Sequence, residues 1–434
     1  MFVSRSSTSV LRSVPAQVLA GSRSLSTSAS SIPKAALNET APVASITVAA
    51  RAGPRFESEA GVAHALKNFA FRSTKDRSAL RIVREAELNG GVLSATMTRE
   101  HLLLTAEFLK GDEEHFAKLL AEVVGNGKYC RHEFNEEVVP SLAADLEQAS
   151  QDPLATGIDA LFSTAFRNRG LGSSLFANPS SPVTVEAVRA FAPRALNSAN
   201  IAVVSSGLSA GALDSLVSQT FTDVPAGSAL QAQPSKYFGG DYRAAITDSH
   251  GHALPNDYLF LGFEGAALAK SAPLQVLETL LGGSNSVKWS TGLAPLAQIG
   301  GATVRTFNSS FQDTGLFGIY ISAPTAKVTD AAKAAAQALD KAANSVSSED
   351  VARAVAQAKF LAASDFEGSR ASSHQTVASG LLNGSATDVS SVLSALDAVK
   401  ASDVSSAAQA LLKSKPTSVA LGDVKALPYA DELF

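Results

Sequence analysis

Residues 61–72 read GVAHALKNFAFR, and this stretch decides how the rest of the chain is understood. The inverted zinc motif is H-x-x-E-H. Two imidazoles four residues apart share one helix face and hold the metal, and the intervening glutamate acts as general base. His64 keeps the first ligand position. Lys67 stands where the base belongs, and an ammonium can neither accept a proton from a metal-bound water nor approach the cation without repulsion. Asn68 stands where the second imidazole belongs, and an amide is a poor zinc ligand. The stretch therefore predicts a helix with the outline of a zinc site and without its chemistry: no catalytic residue and no bound metal.

The flanking sequence carries the same outline. Ala44–Ala50 (ASITVAA) alternates like a strand, and the turn residues 51–55 follow it. Together with GVAHALKNFAFRST, the segments ELNGGVLSATMTREHL (87–102), YLFLGFEG (258–265) and LETLLGGSNSVKWSTG (277–292) resemble the pitrilysin/insulinase family. The resemblance extends over nearly all of residues 40–434. It implies an α+β fold of two homologous α/β-sandwich halves enclosing a bowl-like cavity. The halves would span 40–225 and 242–434, joined by a linker at 226–241. In that family a third metal ligand, a glutamate, comes from a later helix. The resemblance sets Leu142 at that position, with Asp145 and Glu147 close enough that another register would restore one carboxylate.

Composition narrows the function classes. The 434 residues are long enough for two domains with large cores, and 45% hydrophobic with 18% charged residues is ordinary for a globular protein. A net charge of −4 gives no bulk electrostatic case for nucleic acid. Apolar runs stay well short of the roughly 20 residues of a spanning helix. Cys130 is the only cysteine, so intramolecular disulfides, cysteine-cluster metal sites and thiolate-ligated redox centres are excluded. His250 and His252 form the only close histidine pair and read as a solvated turn. Gly282-Gly283-Ser284-Asn285 lacks the Gly-Lys-Ser/Thr of a phosphate loop.

The N-terminus differs from everything after it. Arg5, Arg12, Arg23 and Lys34 all precede the first acidic residue, Glu39, in a stretch crowded with serine and threonine. Basic, hydroxyl-rich and acid-free is the composition of a mitochondrial transit peptide, here assigned to 1–32.

Helices are expected at 79–88, 113–125, 159–166, 182–191, 271–281, 329–345, 349–364, 371–382, 389–398 and 402–413. Strands are expected at 92–98, 101–108, 201–205, 257–264, 316–322 and 418–421.

Within the family the resemblance points to non-catalytic mitochondrial members. The core subunits of ubiquinol–cytochrome c reductase are favoured, because only Gly282 and Gly283 precede Val287-Lys288-Trp289 where the non-catalytic processing-peptidase subunit carries a long glycine-rich loop. That substrate-binding subunit is the alternative. Trp289 serves equally well as an interface anchor or a core residue. The favoured reading implies a peptidase-inactive structural subunit, peripheral on the matrix side of the inner membrane and free of cofactors. Its partners would be core protein 1, cytochrome b, cytochrome c-one and the Rieske iron–sulfur subunit in a dimeric complex.

Overall fold

The computed structural model describes residues 32–179, 182–247, 254–282, 292–368, 370–384 and 388–434. Residues 1–31 of the expected transit peptide (1–32), His250, His252 and Trp289 lie outside these residues.

The first half contains β1 (Lys34–Leu37), β2 (Val43–Ala50), α1 (Val62–Asn68), α2 (Ala79–Leu88), β3 (Val92–Met97), β4 (Leu102–Leu109) and α3 (Glu113–Gly125). There follow α4 (Arg131–Glu133), a π-helical turn (Phe134–Val138), α5 (Val139–Ser150), α6 (Pro153–Ala165), α7 (Val185–Ala195), β5 (Ile201–Ser206) and α8 (Ala210–Thr220). The second half contains β6 (Gly240–Ala244), β7 (Asp257–Gly265), α9 (Ala272–Leu281), β8 (Thr303–Ser310) and β9 (Gly315–Ala323). It ends with α10 (Thr325–Asn344), α11 (Ser348–Gly368), α12 (Arg370–Leu382), α13 (Val389–Asp397), α14 (Ala401–Lys413) and β10 (Thr417–Leu421).

The two sheets have one topology. Their strand orders are β1-β5-β2-β4-β3 and β6-β10-β7-β9-β8, so each strand of the second occupies the place of its counterpart in the first. Even the single parallel pairing recurs, β1 with β5 and β6 with β10. The duplicated α+β architecture is therefore present strand for strand. β1, β6 and β8 are not among the expected strands, β1 for its shortness and β8 for the polar sequence TVRTFNSS of an edge strand. β6 begins inside the range read as linker, and β1 precedes the expected start of the first half at residue 40.

Successive side chains of a strand point to opposite faces. In β2, Ile46, Val48 and Ala50 join a core with Phe116 and Leu120 of α3 and Phe191 of α7. Thr47 and Ala49 point the other way, yet both are also buried. The cover on that second face comes from the opposite half: Val377, Ala378 and Leu382 of α12 pack on Ala49, Leu103, Ala202 and Val204. The exchange is reciprocal. Leu161, Phe162 and Ala165 of α6, with Phe166, pack on Phe260, Leu316, Val419 and Leu421 of the second sheet, whose other face meets its own α9, α10 and α14.

Polar contacts reinforce both clasps. His374 of α12 is fully buried, with Nδ1 2.7 Å from Thr47 Oγ1 and Nε2 2.7 Å from Ser206 Oγ. Arg55, in the turn before α1, donates to Glu100 Oε1 at 2.5 Å and to Asp313 Oδ2 of the β8–β9 turn at 2.6 Å. Asp313 also accepts from the backbone N–H of Ser235 in the linker at 2.7 Å, so both halves and their connection meet at one carboxylate.

Candidate functional site

α1 is positioned from three sides. Gly61 takes φ +86°, where a side chain is strained, and a Cβ there would come within 2.7 Å of Ala177. Glu57 Oε2 accepts from the backbone N–H groups of Gly61 and Ala63, both at 3.1 Å, and so satisfies two free donors of the first turn. Burial pushes the Glu57 carboxyl up to about 7, against the stabilising backbone donors. α5 then packs alongside α1 and supplies the facing side chains.

The residues singled out in the sequence come together, with one exchange. His64 is 1% exposed. Its Nε2 lies 2.9 Å from Asp145 Oδ2, and its Nδ1 accepts the backbone N–H of Ala177 at 3.0 Å. Lys67 Nζ donates to the same Asp145 oxygen at 2.8 Å. Asn68 Nδ2 reaches that oxygen and the His64 carbonyl, each at 3.2 Å. Leu142 does not take part: its side chain lies in the first-half core at 8% exposed, and Asp145, one helical turn on, is the α5 residue that faces the motif. One carboxylate oxygen thus collects three donors from α1.

These contacts fix the protonation of the site. Nδ1 of His64 accepts a backbone N–H, so the neutral ring carries its hydrogen on Nε2 and donates it to Asp145. A second proton would have to enter against the Ala177 N–H. Accordingly burial, and then the nearby Lys67 charge, lower the affinity of His64 for a proton against the opposing pull of Asp145. Burial alone would raise the Asp145 carboxyl. The Lys67 ammonium, the His64 N–H and the Asn68 amide outweigh it and hold the group down at about 2.

The donor set does not fit a zinc ion. The two ring nitrogens of His64 are engaged, one as donor and one as acceptor, and Asn68 turns its amide hydrogens toward the carboxylate. The Lys67 ammonium lies against the carboxylate, where it supplies the positive charge a metal would bring. Among the described residues no three His, Cys, Asp or Glu side chains cluster as metal ligands. The arrangement is an electrostatic tie between α1 and α5.

A further set of residues, absent from the sequence reading, holds the Ala177 loop. Arg99 is 5% exposed and donates to Leu171 O at 3.1 Å, Ser173 O at 2.7 Å and Asp159 Oδ1 at 2.7 Å. Its guanidinium stacks 4.0 Å above the Phe162 ring. Asp159 in turn accepts from Ser174 Oγ and the Leu175 N–H. α6 therefore serves twice, clasping the second sheet and fixing the loop that reads His64.

Comparison with known proteins agrees with this geometry. Residues 35–179 match the family described as Insulinase (Peptidase family M16), and residues 182–358 match the Peptidase M16 inactive domain. The chain is 42% identical over 402 residues to the mitochondrial cytochrome b-c1 complex subunit 2 of Cryptococcus neoformans, covering 91% of this chain and 90% of that one. It is 36% identical to the Yarrowia lipolytica protein of that name, over 98% of this chain and 100% of that one. The human protein of that name is 31% identical over 92% and 89% of the two chains.

Proposed function

The chain belongs to the insulinase (M16) peptidase family, and from that membership we propose that it is the peptidase-inactive core subunit 2 of the mitochondrial cytochrome b-c1 complex. The observation that carries the inactive part of this reading is the Asp145 carboxylate. It is bonded to His64, Lys67 and Asn68 together, where a peptidase of this design would hold a metal and a base. Subunit membership rests on relatives of that name that match over nearly the whole length.

Residues 1–32 would direct import. The folded chain would sit on the matrix side of the inner membrane, held there by its neighbours; among the described residues no helix is long and apolar enough to cross a membrane. Core protein 1, cytochrome b, cytochrome c-one and the Rieske subunit are the neighbours this reading assigns. Its contribution is to assembly and stability of the complex, and electron transfer belongs to those partners.

Native electrophoresis of mildly solubilised mitochondria tests the assignment. Co-migration of this chain with a large haem-containing complex is expected. A soluble heterodimer whose other subunit carries zinc would overturn it in favour of a processing-peptidase subunit.

A further inference from the structure

After β10 the chain leaves the second sheet, and among the described residues the segment 423–434 pairs with no strand. Gly422 takes φ +131°, and a Cβ there would overlap the Asp257 carboxylate. Asp257 Oδ1 accepts the Asp423 N–H at 3.0 Å and fixes the exit. From there the segment makes its own turns: Ala426 and Leu427 donate to Asp423 O, and Leu433 and Phe434 donate to Ala430 O. Beyond Asp423, its hydrogen bonds to the rest of the chain among the described residues all run to one side chain. Arg243 of β6 donates to Val424 O at 2.5 Å, Leu427 O at 3.0 Å and Pro428 O at 2.8 Å. Its guanidinium also lies 3.5 Å from the centre of the Tyr429 ring, with Asp241 Oδ2 3.3 Å from Nε.

We propose that Arg243 and the apolar sockets beside it form a peptide-binding site whose ligand is this segment, held as a strap that can leave and return. Two apolar side chains go with it. Leu427 is 3% exposed within the second-half core, and Phe434 meets the Phe263 ring edge-on at 5.3 Å. A guanidinium suits the task, because its planar fork reaches three carbonyls while its face stacks on an aromatic ring. With the strap away, Arg243 keeps only Asp241 of these partners, and its largely buried donors, left unpaired, favour recapture. The direct tether through Gly422 holds the strap at an effective concentration on the order of millimolar, so a site of micromolar affinity stays closed. The site therefore admits a second peptide only when the strap is disabled.

A fluorescent peptide of sequence 423–434, added to the full chain, tests this by anisotropy. Leu427→Asp makes the chain's own strap unfit for the core and leaves the site intact. This variant should bind the peptide, whereas wild type should not at the same concentrations. Adding Arg243→Lys to Leu427→Asp, or Tyr429→Ala to the peptide, should weaken binding about tenfold or more. Hydrogen exchange on the full-length Arg243→Lys single variant is the second reading. The amides of Ala426, Leu427 and Leu433 should exchange about tenfold faster than in wild type, while those of α10 keep their protection. A Leu427→Asp chain that melts cooperatively and ignores the peptide would overturn the proposal. So would binding that survives Arg243→Lys unchanged, or equal exchange of the segment in wild type and Arg243→Lys.

Discussion

Replacing Asp145 with Asn tests the tie between α1 and α5 while preserving its shape. The variant keeps one oxygen to accept a hydrogen bond but loses the charge that gathers Lys67, His64 and Asn68. Holding the carboxyl at about 2 rather than near its usual 3.9 corresponds to at most about 2.5 kcal/mol of preference for the ionised form. Asp145 and Lys67 side chains are 29% and 26% exposed, so solvent screening reduces the expected loss at pH 7 to about 1–2 kcal/mol. The sign with pH follows from a lowered carboxylate. Its contribution is fully present above the unfolded value near 4 and is lost as pH falls through about 2. Urea unfolding of wild type and variant at pH 7, 4 and 2.5 reads this out, and a double-mutant cycle with Lys67→Met isolates the ion pair. Equal midpoints at pH 7, or a difference that does not shrink toward pH 2.5, would refute the reasoning. Zero coupling to Lys67 would do the same.

Three further expectations rest on other contacts. Lys67→Glu combined with Asn68→His supplies the missing base and imidazole beside Asp145, so calorimetry should detect about one zinc per double variant and none for either single change. Glu57, pushed up to about 7, is the opposite case to Asp145: folding raises its proton affinity, so its contribution to stability falls as pH rises from about 4.3 to 7. Wild type should lose stability relative to Glu57→Gln across that range, and thermal melts at pH 5 and 8 check the direction. A Cβ at Gly157 of α6 would lie 2.1 Å from the Phe260 ring. Gly157→Ala should therefore destabilise by about 1–3 kcal/mol, although alanine favours helix, and denaturant midpoints would show a gain instead if the clasp is not tight.

Much of this was legible in the sequence because its signals are local. The substituted motif is visible in twelve residues; alternation located β2, and short strand-like runs located β4, β7, β9 and β10, to within a residue or two. What remained hidden depends on contacts between distant segments. Leu142 and Asp145 are three residues apart on one helix, and counting along the chain does not reveal which of them faces α1. Ala177 reaches His64 only through its backbone N–H, which leaves no trace in residue type. Thr47 and Ala49 look like the outward side of a half-exposed strand, and nothing near them announces that α12 covers them.

That cover has a consequence for how the molecule is made. His374 and Thr47 are separated by 327 positions, yet the second face of the first sheet closes only when that helix arrives. A chain that emerges or is translocated from its N-terminus holds Ala49, Leu103, Ala202 and Val204 bare until nearly nine-tenths of it has appeared. The early half is then a sticky, incomplete object that needs shielding. Truncation anywhere before residue 382 should yield aggregated material rather than a smaller working domain.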